Sequence, residues 1–327
     1  MGTTSIHLRV GRRRALSALA AACCALALAS CGGAREEAEQ EAALRIVVTL
    51  PPLAGLAAAV APEGSNIVTL LPPGVSEHGF ELTPSAIAAL GRADVVVLVG
   101  MGLETRVERA LRERADDRRI VIRFDHALGL DSEGHAHHHE HTEDCDHSLD
   151  DDPHLWLDPT LVERFAPALA RGIAEALDRR VALTDSVRTE IEARAEALAQ
   201  IARDVDDAYA AALESFRGAP IVTHHDAYGR IAHRYGLEVA AVIRLGEGSE
   251  PTPGSISNVA RLVRERGVGA IFVEPQFSRT GARRISEATG ARLVPIDPLG
   301  DGDWEAMMRS NLASLVEGLR PERGASP

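Results

Sequence analysis

Residues 44–50 read LRIVVTL, and residues 93–99 read ADVVVLV. Each is a continuous apolar run rich in β-branched side chains. That is the pattern of a strand buried on both faces of a parallel sheet. Pro51-Pro52 stops the first run, and residues 53–60 predict a short helix. Residues 66–71 are a second strand, ended by Pro72-Pro73-Gly74. Helical spacing returns over 85–90, behind a Thr83-Pro84 start. A helix over 103–114 and a strand over 120–124 follow the ADVVVLV run. This alternation predicts an α/β lobe with a mainly parallel sheet.

The second half of the chain repeats the style. Strands are predicted at 219–223, 238–243, 270–273 and 292–296, with helices at 227–235, 255–266, 278–289 and 303–320. Gly236 and Gly290 sit where two of those helices must stop. Between the halves, residues 161–216 are rich in Ala, Arg, Glu and Leu and split near 178–184. The segment 185–216 has no Gly or Pro and would run about 45 Å at the usual helical rise. Such a helix is either a stiff strut between lobes or an ordinary packing helix. The predicted division is a signal at 1–30, a tether at 31–43, an N-terminal lobe at 44–180, a linker helix at 181–216 and a C-terminal lobe at 217–327.

Residues 134–159 break the pattern: GHAHHHEHTEDCDHSLDDDPHLWLDP. Seven of the chain's thirteen histidines fall between His135 and His154, among carboxylates and Cys145. Imidazole and carboxylate are the ligands that borderline divalent cations prefer. The tract has almost no apolar residues, so burial could not repay the entropy of ordering it. Its predicted form is a loop over 131–152 that collects metal loosely through His135, His137, His138, His139, His141 and His147. A solvated loop without a role, or a purification tag, is the other reading. The internal position and mixed composition argue against a tag.

The N-terminal residues have the pattern of an export signal. Arg9 and Arg12 to Arg14 precede a short apolar stretch at 15–29, too short for an ordinary membrane span. Leu28-Ala29-Ser30-Cys31 resembles a lipobox, in which Cys31 becomes the lipidated first residue. Cys23 and Cys24 would leave with the signal and Cys145 stands alone, so no disulfide is expected. The net charge of the whole chain is -13. Without the signal, 31 arginines face 48 acids, about -17, and there is no lysine. An acidic surface argues against nucleic acid and suits a protein that attracts cations.

Outside the loop, histidines stand in GVSEHGFE (74–81) and THHDAY (223–228), just after predicted strands, and His154 follows the acidic run. Asp297 follows the last strand. Ligands bind beyond the carboxyl edges of strands in open α/β sheets, where loops converge. Three imidazoles and a carboxylate suit Zn²⁺. A single histidine beside a strand is more often structural; four such positions together are harder to read that way.

GVSEHGFELTPS, DPHLWLDP, THHDAYGRIAHRYGL and IDPLG resemble, in order, the motifs of the metal-binding lipoproteins and periplasmic proteins that feed ABC-type zinc and manganese importers. The resemblance covers nearly all of residues 44–320, and is greatest to the zinc-specific, ZnuA-type members. His225 stands where manganese members usually carry Glu, the His-rich loop precedes His154, and Glu77 directly precedes His78. The resemblance implies two α/β lobes joined by a long rigid helix. It implies metal ligands at His78, His154 and His225, with Asp297 fourth, or Glu77 or a water in its place. His224 competes with His225, but the family's H-D-A-[YF] motif selects His225. Asp226, Asp158 and Glu81, close to the histidines in sequence, are the expected orienters. Glu274, in the family-like Glu274-Pro275-Gln276, is expected to line the cleft or serve the structure. The cysteine pair that staples some zinc members is missing.

The implied function is capture of Zn²⁺, and less readily Mn²⁺, for an ABC permease and its ATPase. The implied protein is a monomer exported and anchored at the membrane by lipid, binding no nucleic acid and catalysing no reaction. The rival readings are a manganese-binding member, a metal-sensing or adhesive surface lipoprotein, and a zinc hydrolase. A hydrolase would share three histidines and an open position, but the chain has no H-E-x-x-H motif.

Overall fold

The computed structural model describes residues 43–78, 81–130, 149, 151–244 and 251–321. The expected signal, Cys31, most of the tether, and His135, His137, His138, His139, His141 and His147 lie outside the described residues. No helix among the described residues is long and apolar enough to cross a membrane.

The first half forms a four-stranded sheet from β1 (Arg45–Val48), β2 (Asn66–Thr69), β3 (Val95–Leu98) and β4 (Ile120–Arg123). Its order is β2-β1-β3-β4, and every pairing is parallel. The central strands β1 and β3 are the two apolar runs, and all of β3 is buried. The edge strands β2 and β4 alternate in exposure, because successive side chains point to opposite faces and one face is less covered there. The second half builds the same order, β6-β5-β7-β8, from β5 (Pro220–Thr223), β6 (Glu238–Val242), β7 (Ala270–Val273) and β8 (Arg292–Pro295), again parallel. The architecture is thus two α/β lobes on parallel sheets.

Helices close each crossover. In the first lobe these are α1 (Pro51–Val60), α2 (Pro84–Arg92), α3 (Thr105–Glu113) and the short α4 (Phe124–Leu128). Pro51-Pro52 both ends the first strand and opens α1, since proline suits a first helical turn. The sequence reading missed α4, a single turn directly after β4 that ends at left-handed Gly129. Then come α5 (Pro159–Arg180) and α6 (Asp185–Leu213), and in the second lobe α7 (Gly229–Tyr235), α8 (Pro253–Glu265), α9 (Thr280–Thr289) and α10 (Trp304–Leu319).

Helix α6 is continuous for 29 residues, about 43 Å at 1.5 Å per residue. Its buried stripe, Ile191, Ala195, Leu198, Ala202, Val205 and Tyr209, keeps one face inward. That face packs on α1 and α5 from the first half and on α10 from the second. The Tyr209 hydroxyl donates to the Met308 carbonyl of α10 at 2.7 Å. The lobes also meet through two indoles. Trp156 Nε1 donates to Pro298 O at 2.6 Å, and Trp304 Nε1 donates to Trp156 O at 2.8 Å.

Candidate metal centre

In both sheets the chain reverses its direction of growth between the first strand and the third. That reversal opens a crevice at the carboxyl ends of the strands. In the second lobe, His225 lies two residues beyond β5 and Glu274 one residue beyond β7, flanking that crevice. Glu77 and His78 come from the segment after β2. His154 precedes a 3₁₀ turn, Leu155–Leu157, that leads into α5. Buried Leu155, Trp156 and Leu157 anchor that turn and hold His154 in place.

These four residues are the group among the described residues able to hold a metal ion. One ligand atom from each of Glu77, His78, His154 and His225 lies within 4.8 Å of all the others. His154 Nε2 and His225 Nε2 are 3.3 Å apart. Glu77 Oε1 is 3.3 Å from each of them. A tetrahedron of ligands at about 2.0 Å from a cation has edges of about 3.3 Å. Three measured edges therefore match a tetrahedral zinc shell. The three imidazole rings stand 5.3–5.5 Å apart, edge to face, so each can present one nitrogen to a common point. Glu77 Oε1 is buried and faces only those two imidazole nitrogens, as expected of an oxygen placed for a cation.

A ring is oriented by what its other nitrogen touches. His154 Nδ1 meets Asp152 Oδ1 at 2.7 Å, and the same oxygen accepts from the His154 backbone at 2.9 Å. His225 Nδ1 meets Glu274 Oε2 at 2.6 Å. Burial alone would lower His154, but the bonds to Asp152 and Glu77 outweigh it and push the imidazole up to about 9. Burial likewise opposes His225, yet Glu274 and Glu77 push it up to about 10. Burial, aided by His154, brings His78 down to about 4. Glu77 would be raised by burial, but His154 and His225 hold it well below the carboxylate range. The metal-free cluster is thus a balance of carboxylates against protons on two rings. A divalent cation substitutes for those protons, since a ligating imidazole must be neutral.

Of the residues expected to be ligands, His78, His154 and His225 come together. Asp297 stands outside the group: its Oδ1 accepts from Gln276 Nε2 at 2.7 Å and from Leu299 N at 3.0 Å. The carboxylate grouped with them is Glu77, the alternative. His224 is turned away, its Nδ1 accepting from Glu274 N at 3.3 Å. Two of the expected orienters do other work. Asp158 caps α5 through Thr160 N, and Glu81 pairs with Arg106 at 3.0 Å. Asp226 is exposed. Asp152 and Glu274 take the orienting role instead. Glu274 had a usable signal, since it ends a strand at the same sheet edge as His225. Asp152 had only its place two residues before His154.

Residues 46–318 match the family described as ZnuA, zinc-uptake complex component A periplasmic. The chain is 27% identical over 317 residues to the zinc-binding lipoprotein AdcA of Streptococcus pneumoniae, covering 92% of this chain and 60% of that protein. It therefore spans about 60% of the length of that relative. It is 24% identical over 276 residues to the high-affinity zinc uptake system protein ZnuA of Yersinia pestis, covering 80% of this chain and 85% of that one. A crystal structure of ZnuA has the same fold, with a TM-score of 0.70 at 24% identity, covering 85% of this chain and all of that one. The family match spans both sheets and all four clustered residues, and the chain belongs to the ZnuA family of periplasmic zinc-uptake components.

Proposed function

We propose that this protein captures Zn²⁺ outside the cytoplasm and delivers it to an ABC-type permease and its ATPase. The ion is cargo, held by Glu77, His78, His154 and His225. The observation that carries this reading is the set of 3.3 Å separations among Glu77 Oε1, His154 Nε2 and His225 Nε2. Three imidazoles and one carboxylate favour a borderline ion over a hard one such as Mn²⁺. The names of the zinc-binding and zinc-uptake relatives support the same ion. Catalytic zinc keeps a position open for water. With Glu77 as the fourth ligand no corner is left for water, which disfavours a hydrolase.

In this reading residues 44–180 and 217–327 are the lobes and 181–216 the helix between them. Cys31 carries the lipid anchor, and the histidines of 131–152 add weaker accessory sites. Metal analysis of the purified protein, with Zn²⁺ and Mn²⁺ in competition, tests the cargo. One tightly held Zn²⁺, lost by orders of magnitude in affinity on His225→Ala, is the expected result. Near-wild-type affinity in that variant would sink the assignment. Deleting residues 134–150 should remove weak calorimetric events and leave the tight one. Acyl mass on the wild type, absent from Cys31→Ser, tests the anchor.

A further inference from the structure

Helix α7 opens with Gly229-Arg230, and both residues press on the segment that carries His154. The Arg230 side chain is 9% exposed. Its Nε donates to Asp152 O at 3.1 Å, and its Nη2 donates to Leu149 O at 2.8 Å. Nε also lies 3.8 Å from Asp152 Oδ2. On the neighbouring residue there is little room: a Cβ at Gly229 would sit 3.3 Å from the same Asp152 Oδ2. Asp152 Oδ1 then takes both nitrogens of His154 that face it, the backbone N and ring Nδ1. With Nδ1 engaged, the ring has only Nε2 to offer the cluster.

From this chain of contacts we infer that Arg230 is a positioning residue of the metal centre, acting through Asp152 on His154. The inference rests on the proposed zinc site. A helix of the second lobe thereby sets the rotamer of a ligand from the first half. Arginine suits the task because its rigid planar fork reaches two carbonyls at once. A lysine ammonium is a point charge on a flexible stem and holds neither the spacing nor the plane. A residue that merely braced the backbone would affect folding; one that aims a ligand affects the metal shell itself.

The test uses Arg230→Met, Arg230→Lys, Asp152→Asn and the Arg230→Met/Asp152→Asn double variant of the full chain. Zn²⁺ affinity is measured by chelator competition, ligand geometry by the visible spectrum of bound Co²⁺, and folding by the melt of the metal-free protein. Arg230→Met should weaken Zn²⁺ about 10–100-fold, the range for an outer partner of a ligating histidine. It should also alter the Co²⁺ spectrum, with Arg230→Lys intermediate. In the Asp152→Asn background the same change should cost about twofold or less, because residues acting through one another are not additive. Unchanged affinity and spectrum in Arg230→Met, or a full loss that persists in the Asp152→Asn background, would overturn the inference. If Arg230→Met does not fold, Gly229→Ala takes its place. Its Cβ would stand 3.3 Å from Asp152 Oδ2, which must give by a few tenths of an ångström; a wild-type spectrum there, together with unchanged affinity and spectrum in Arg230→Lys, is equally fatal. A wild type that binds no Zn²⁺ overturns the proposed function and this inference together. A tight wild type with an unaffected Arg230→Met overturns the inference alone.

Discussion

Glu77 is a carboxylate that water does not reach, and a buried anion persists only if it is paired. Its Oε1 faces two imidazoles at 3.3 Å, the contacts that a bound cation would replace. Glu77→Gln keeps the shape and removes the charge, while Glu274→Gln leaves the ligand set intact and disturbs only the orientation of His225. Zn²⁺ competition titrations should therefore rank them. Glu274→Gln should lose about 10–100-fold, as outer partners do, and Glu77→Gln should lose more. Equal affinities for Glu77→Gln and wild type would remove Glu77 from the shell. The histidines were legible in sequence because each stands in a short motif that resembles the family's, EHGFE, DPHLWLDP and THHDAY. Their orienting carboxylates were less so, since such a group is defined by distance to a ring: Glu274 stands at the right sheet edge but meets His225 from 49 positions away.

At the scale of single elements, the chain marks its own helix starts. Thr83, Asp158, Thr184, Thr252 and Asp303 each accept a backbone N–H from the first turn that follows. Asp158 does this at the head of α5, four residues after His154, and its Oδ1 also accepts from Thr160 Oγ1 at 2.6 Å. Asp158→Ala should cost about 1 kcal/mol in chemical denaturation, the usual value of an N-cap. Because the cap fixes the end of the turn behind His154, a further modest loss of Zn²⁺ affinity is expected. An unchanged denaturation midpoint would show that the cap carries no stability here. Strands and long helices were readable from periodicity alone. Helix α4 was not: five residues make little more than one turn, too few for the period to repeat, and its start depends on where β4 ends.

For the molecule as a whole, close approach between the halves decides more than any single element. A Cβ on Gly55, in α1, would lie 2.5 Å from Gly302 O and 2.8 Å from Trp304 N, both backbone atoms of the second lobe. Gly55→Ala should gain up to about 1 kcal/mol of helix propensity. It should lose more to overpacking, for a net destabilisation of about 1–3 kcal/mol in denaturant melts. A stabilised variant would mean that the halves separate easily. A second global effect comes from Glu104, buried at the carboxyl edge of the first sheet. Burial pushes it up to about 7, although Thr49 Oγ1, Val99 N and Gly100 N all donate to it. Its folded value lies above its unfolded 4.5, so the fold binds this proton more tightly. Stability from this group is complete below pH 4.5, falls as pH rises toward 7, and is flat above. Glu104→Gln should lack that slope in metal-free melts between those limits; a slope equal to wild type would place the titration elsewhere. Sequence alone determined the repeated strand–helix order and the helix punctuation, because periodicity and capping are local properties of the chain, and the motifs' resemblance to a family singled out the three histidines. Only the tertiary structure groups Glu77 and not Asp297 with them, sets Asp152 and Glu274 against the rings, and brings α7 onto the His154 segment. Those choices depend on which sheet edges face each other across the crevice, and a linear sequence carries no distances between residues remote along it.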